Sequence, residues 1–171
     1  MKSIEITGKR NIDKITKVDK PIRKDTLKWN LDDSYYTYKK QIEVINKLYL
    51  EEVQEQEILV KREINKKIGG YKNQDIRKKL IDLNMLISLD QTIEMLMMSK
   101  LKCFYCNENC ELLYTSIFSK KQWTLDRINN NKGHNHDNVV ICCLDCNVKR
   151  GDIDGERFKR GKEIKIVRKQ Y

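Results

Sequence analysis

Two Cys-x-x-Cys pairs, Cys103-Phe104-Tyr105-Cys106 and Cys143-Leu144-Asp145-Cys146, stand 36 residues apart in this chain. Each pair lets two thiolates hold one ion through a tight turn, and two such turns complete a tetrahedral four-sulfur site for structural zinc. Of the six cysteines, Cys110 and Cys142 are left over. Cys142 ends an apolar run and suits a small buried side chain, while Cys110 offers an alternative ligand through a Cys106-x₃-Cys110 spacing. A second group of residues has harder donors: Asp126, Asn147 and the only two histidines, His134 and His136. Phosphodiester hydrolysis needs a divalent cation to neutralise the phosphate and a base to activate water. A cation such as Mg²⁺ or Mn²⁺ takes oxygen ligands, one or two of them from side chains, and Asp126 and Asn147 can supply these. A neutral imidazole in the intervening loop can take the proton near pH 7.

The elements that must position these groups are legible around them. Trp123 to Ile128 reads as a short strand, with Trp123 as hairpin core. Asn129 to His136 is turn chemistry throughout, and Asn138 to Cys142 reads as a second strand. A helix then starts at Leu144 and is ended by Gly151 near Arg150. The order is strand, loop, strand, helix, with the cysteine pairs bracketing it, so zinc would fix the helix start and hold Asn147 opposite the hairpin.

Upstream, Trp29 to Ser34 looks like a helix start, with Asp32, Asp33 or Ser34 as N-cap. Ile42, Ile45, Tyr49, Val53, Val60 and Ile64 then recur at helical spacing to about Lys67, and Gly69-Gly70 reads as the stop. Asn73 or Asp75 would cap a second helix running to about Lys100. Its apolar positions (Ile76, Leu80, Leu83, Leu86, Ile87, Leu89, Ile93, Leu96, Met97 and Leu101) cover more than one stripe, as in a buried helix. A short strand or extended arm is expected over residues 1–31, and a returning strand at Ile164 to Val167.

Composition sets the outer limits. At 171 residues with 39% hydrophobic and 35% charged positions, the chain suits one domain with an extension, and no apolar run approaches a membrane span. One proline argues for helix over an all-β fold. The net charge of +10 sits at the ends: residues 1–31 and 147–171 each hold nine Lys/Arg against four Asp/Glu, while the remainder carries 17 of each sign. Such ends favour phosphate contacts whose strength depends on salt. Met1 to Glu5 lacks an apolar signal region, so an intracellular protein is expected. The Lys-, Ile- and Asn-rich usage suits an AT-rich genome, such as that of a virus or phage.

Taken together, Cys103-x₂-Cys106, Leu125-Asp126-Arg127-Ile128, Gly133-His134, Asp137-Asn138-Val139-Val140 and Cys143-x₂-Cys146-Asn147-x₂-Arg150-Gly151 resemble an HNH endonuclease of the zinc-stapled kind, as found in viruses and phages. The resemblance covers about residues 103–151. It implies a ββα-metal fold, DNA as partner, and Asp126 and Asn147 on the metal-binding positions. By the same resemblance Asn138 is the middle Asn that braces the hairpin loop. The family usually has a His base directly after the first Asp, and here that position is Arg127. Either His134, which fits the motif spacing better than His136, supplies the base, or the domain is a non-catalytic zinc-containing nucleic-acid-binding module. Arg127 is then placed to contact the scissile phosphate.

The expected architecture is thus α+β. It has a basic arm over 1–31, a helical region of two long helices over 32–100 that could form a homodimer seam, and a zinc-binding HNH module with a basic tail over 101–171.

Overall fold

The computed structural model describes residues 31–116 and 119–164, together with Glu5, Thr7, Gly8, Ile12, Thr16 and Trp29. The rest of the N-terminal arm and the tail strand past Ile164 lie outside the described residues. The architecture is α+β: among the described residues, five α-helices and one two-stranded sheet.

A 3-10 turn at Asp33–Tyr36 is capped by Asp32, whose carboxylate accepts from the Ser34 N–H at 2.8 Å. Helix α1 (Tyr38–Tyr49) follows, with Thr37 as N-cap and Gln41, Val44, Ile45 and Leu48 on its buried stripe. The stripe has the 3–4 residue spacing that one helix face requires. The chain then turns at Glu51, whose φ is 60°, and α2 (Glu55–Lys78) begins with the Glu57 carboxylate accepting from the Gln54 N–H. Val60, Ile64 and Ile68 carry the core face of α2.

The helical region therefore differs from the expectation. The first expected helix is broken at residues 50–54, and Gly69-Gly70 lies in the middle of α2 rather than at an end. Neither glycine takes a positive φ; the left-handed residue that ends α2 is Lys79 (φ 58°), with its N–H on the Ile76 carbonyl and that of Leu80 on Asp75. Asn73 and Asp75 cap nothing, because they belong to the last turns of α2. The second expected helix is reduced to α3 (Leu89–Met98), capped by Ser88 and Gln91. Ile76 and Leu83, counted in its apolar pattern, are exposed. Local glycine and cap signals lost to tertiary packing, since the C-terminal half of α2 is held by the hairpin below.

Strands β1 (Trp123–Arg127) and β2 (Val139–Cys143) pair antiparallel with Asp126 opposite Val140, and α4 (Leu144–Arg150) follows β2 without a break. Gly151, with φ 52°, ends α4 as expected. Helix α5 (Gly155–Glu163), capped by Asp154, has no counterpart in the sequence reading. Trp123, Leu125, Ile141 and Cys142 join the helical residues in one buried core, which agrees with the core roles expected of Trp123 and Cys142. No helix among the described residues is long and apolar enough to cross a membrane.

Candidate functional site

The sulfurs of Cys103, Cys106, Cys143 and Cys146 all lie within 4.8 Å of one another, and those of Cys106 and Cys143 are 4.0 Å apart. Tetrahedral Zn–S bonds of about 2.3 Å put sulfurs about 3.8 Å apart, so the cluster has the donors and the size to hold a structural metal such as zinc. Local backbone explains the gathering. The first knuckle closes through the Asn107 N–H on the Cys103 carbonyl (2.9 Å), with Asn107 at φ 57°. The Phe104 N–H joins it to β2 at the Ile141 carbonyl, 2.9 Å. In the second knuckle Cys143 is the N-cap of α4 and its sulfur accepts from the Cys146 N–H. Hydrogen bonds from Cys110 and then Cys143 hold the Cys103 thiol far below its ordinary pKa, as a shared thiolate would be. Cys110 is therefore a buried neighbour of the cluster, outside the four-sulfur set.

On the far side of the hairpin, Asp126, Arg127, His134 and Asn147 line one cavity of about 260 Å³, with Tyr71, Gln74 and Lys78 of α2 forming its opposite wall. His136 is not among them. It is exposed, and its Nδ1 lies 3.2 Å from the Met85 carbonyl. Asn138 braces the loop as expected: its amide donates to the carbonyls of Asn129 and Gly133 (both 3.0 Å), and its oxygen accepts from the Asn129 N–H at 2.9 Å. Arg127 turns to the same loop, donating to the carbonyls of Asn130 (3.2 Å) and Lys132 (3.1 Å).

His134 is buried and held by Asp75, whose position in the sequence suggests only a helix cap. Asp75 accepts from the His134 backbone N–H at 2.7 Å, and its other oxygen lies 2.9 Å from Nδ1. A carboxylate only accepts, so Nδ1 carries the ring proton and Nε2 keeps the lone pair. The Tyr71 ring stacks on the imidazole with centroids 4.5 Å apart. Burial lowers the pKa of His134 below its ordinary 6.5, and Asp75 partly opposes this. The ring is thus neutral, oriented and basic at pH 7.

Asp126 is also engaged. Its oxygens accept from Arg150 Nη2 (2.9 Å) and from the Tyr105 hydroxyl (2.7 Å). Arg150 Nε lies 2.5 Å from Oδ2, yet off the line of its own N–H, which makes no hydrogen bond among the described residues. Burial and then the Asp126 carboxylate raise the Tyr105 pKa, so the phenol keeps its proton. Asn147 donates to Thr124 Oγ1 (3.0 Å) and to the Leu125 carbonyl (3.3 Å), which leaves its Oδ1 as an acceptor. One carboxylate and one amide oxygen fit a hard cation that keeps most of its water. Arg150 places a positive charge beside the carboxylate, which weakens that fit.

In the sequence, Asp75 reads only as a helix cap, and Tyr105 and Arg150 are given no part in the site. Arg150 stands at a quoted motif position, and only its spacing from Asp126 could have flagged it. Comparison of the chain with protein-family models, curated proteins and solved structures finds no match.

Proposed function

We propose that the protein is an HNH-type endonuclease that hydrolyses phosphodiester bonds in DNA. The observation that carries this reading is the single cavity shared by Asp126, Asn147 and a buried, carboxylate-oriented His134. A neutral imidazole whose Nδ1 proton is fixed on Asp75 presents a basic Nε2 to a water molecule. Asp126 and Asn147 Oδ1 would hold a divalent cation, Mg²⁺ or Mn²⁺, which when bound neutralises phosphate charge and polarises the scissile bond. Lys78 on α2 lines the same cavity and adds positive charge for the phosphate. The basic segments 1–31 and 147–171 supply further backbone affinity. Structural zinc at the four cysteines holds α4, and so Asn147, against β1.

One observation favours a second reading. The Arg150 guanidinium already neutralises Asp126, as a structural ion pair would, which suits a zinc-containing DNA-binding module without catalysis. Supercoiled plasmid incubated with and without added Mg²⁺ separates the two. Nicking that requires the added cation and disappears in His134→Ala supports the nuclease. A mobility shift with no nicking in any cation supports the binder and overturns the nuclease.

A further inference from the structure

Between the two basic ends the chain is neutral in sum, yet α2 is polarised along its length. Residues 55–63 hold three acids against two cations, whereas residues 64–79 hold six Lys/Arg against Asp75 alone. Asp75 is buried and spent on His134. The basic part of α2 is also the part that walls the cavity at Asp126 and His134, through Tyr71, Gln74 and Lys78.

From that cavity a groove continues along α2 past Arg77, Gln74, Gly70 and Lys66. These four recur at spacings of three and four, so they stand in one row on the helix. At about 1.5 Å per residue the row from 66 to 77 is about 16 Å long, the reach of several consecutive phosphates of one strand. Lys66, Gly70 and Arg77 are exposed. Lys66 has one acid near it, Glu63 at 4.0 Å, and Arg77 and Lys78 make no ion pair among the described residues. The row carries no apolar side chain. Cations over polar and bare backbone suit a polyanion rather than a protein partner, whose interface core would be apolar and poor in charge.

Gly70 stands in the middle of this row. Glycine weakens a helix interior. Here its φ is not positive and a Cβ meets nothing within 4 Å, so the fold does not require it. What a bare helix surface permits is the close approach of another backbone. Gly69 shares both properties but does not border the groove, which makes it an internal control.

We propose that the Lys66–Gly70–Arg77 row of α2 is a track for the sugar–phosphate backbone of DNA leading into the cavity at Asp126 and His134. The strand crosses the helix at Gly70, with phosphates on Lys66 and Arg77 to either side. The proposal rests on the reading that the adjoining cavity cuts DNA.

The probe is a short fluorescein-labelled DNA duplex, titrated by anisotropy over a range of salt without divalent cation. Lys66→Gln with Arg77→Gln should weaken binding about tenfold and lower the slope of log K against log salt by about two. Lys39→Gln with Lys72→Gln removes the same charge from exposed positions outside both cavities and should leave the slope unchanged. Gly69→Leu and Gly70→Leu should both melt above the parent, because leucine is the better helix former. Only Gly70→Leu should also weaken binding, by holding the strand off both cations. A more stable protein with poorer affinity is a signature that a purely structural glycine does not give. Affinity within about twofold of the parent in both Gly70→Leu and the Lys66/Arg77 pair overturns the track. So does an equal loss of slope in the Lys39/Lys72 pair, which would make total charge the cause. If the track variants bind and nick plasmid like the parent, the track falls and the nuclease reading stands. If the parent never nicks but the track variants alone lose affinity, the track stands as a DNA-binding surface and the nuclease reading falls.

Discussion

Asp75→Asn is the substitution that tests the proposed base most sharply, because it is nearly isosteric and acts through one proton. In the parent, the carboxylate can only accept, so His134 carries its proton on Nδ1. An asparagine oxygen can still accept from the His134 backbone N–H, as Asp75 does at 2.7 Å. Its NH₂ group then faces Nδ1 and must donate, which moves the ring proton to Nε2 and removes the basic lone pair. Stability should fall by about 1.5–3 kcal/mol, the worth of one hydrogen bond to a charged group. Asp75→Ala loses both bonds and strands a buried N–H, so it should cost about 3–5 kcal/mol. The cleavage rate of Asp75→Asn should drop about 10²–10⁴-fold, the usual worth of a general base, with DNA affinity nearly unchanged.

With only two histidines in the chain, ¹⁵N-detected imidazole spectra can read the tautomer directly. The His134 signal should be Nδ1–H in the parent and Nε2–H in Asp75→Asn. The pH profile supplies a second readout. Burial lowers the His134 pKa, so the acid limb of the rate should lie below pH 6.5, and removing the Asp75 charge, which raises that pKa, should move it lower still. The same shift affects stability. The folded state binds its proton less readily than the unfolded chain, so stability is lost as pH falls from 6.5 towards the folded pKa. Should Asp75→Asn nick like the parent while His134→Ala is dead, Asp75 does not set the tautomer and the orientation argument fails.

Three further perturbations have definite signs. Cys106→Ser or Cys146→Ser should abolish zinc binding and unfold the hairpin with α4 while sparing much helical signal. Atomic absorption near one zinc per chain in both variants would refute the four-sulfur site. Gly133→Ala would place a Cβ 2.6 Å from the Leu80 carbonyl oxygen and 3.0 Å from Asp75 Oδ2, so it should lower thermal stability by about 1–3 kcal/mol, and an unchanged melt contradicts the packing described. Lys67→Met should stabilise the fold by about 2–5 kcal/mol at pH 6, because burial lowers the lysine pKa from 10.5 to about 7. The parent recovers stability as pH rises from 7 to 10.5, since the unfolded chain then binds the extra proton, so the gap between the two melts should close over that window.

Interactions between near neighbours in sequence were readable, and those between distant elements were not. The cysteine pairs, the two strands, α4 with its Gly151 stop and the Asn138 brace all rest on partners a few residues away or on spacing itself. The Asn138 bonds, for instance, span five and nine residues. Asp75 meets His134 across 59 residues and Tyr71 meets Leu125 across 54, and no local pattern announces either. The glycine pair misled because a mid-helix glycine and a terminal one look alike until φ is known. Asp126 stands out in the sequence by type and position, but its ion pair with Arg150 depends on how α4 returns over β1.

The length of α2 has a geometric reason. A two-stranded sheet leaves the outer edge of β1 with unpaired backbone groups, which must find partners if buried. Side chains four residues apart on a helix rise by about 6 Å, close to the 6.7 Å or so between alternate residues of a strand. Lys67, Tyr71 and Asp75 use this match. Lys67 donates to the Trp123 carbonyl, the Tyr71 oxygen accepts from the Leu125 N–H at 3.0 Å, and Asp75 reaches the loop at His134. Glu111 and Asn147 take the remaining outward groups of Trp123 and Leu125. A helix ended at Gly69-Gly70 would have kept only the first of these three rungs. The glycines each cost about 1 kcal/mol relative to alanine in a helix interior, yet neither is needed for close packing or for a positive φ. The stripe that closes the sheet edge requires α2 to run through them.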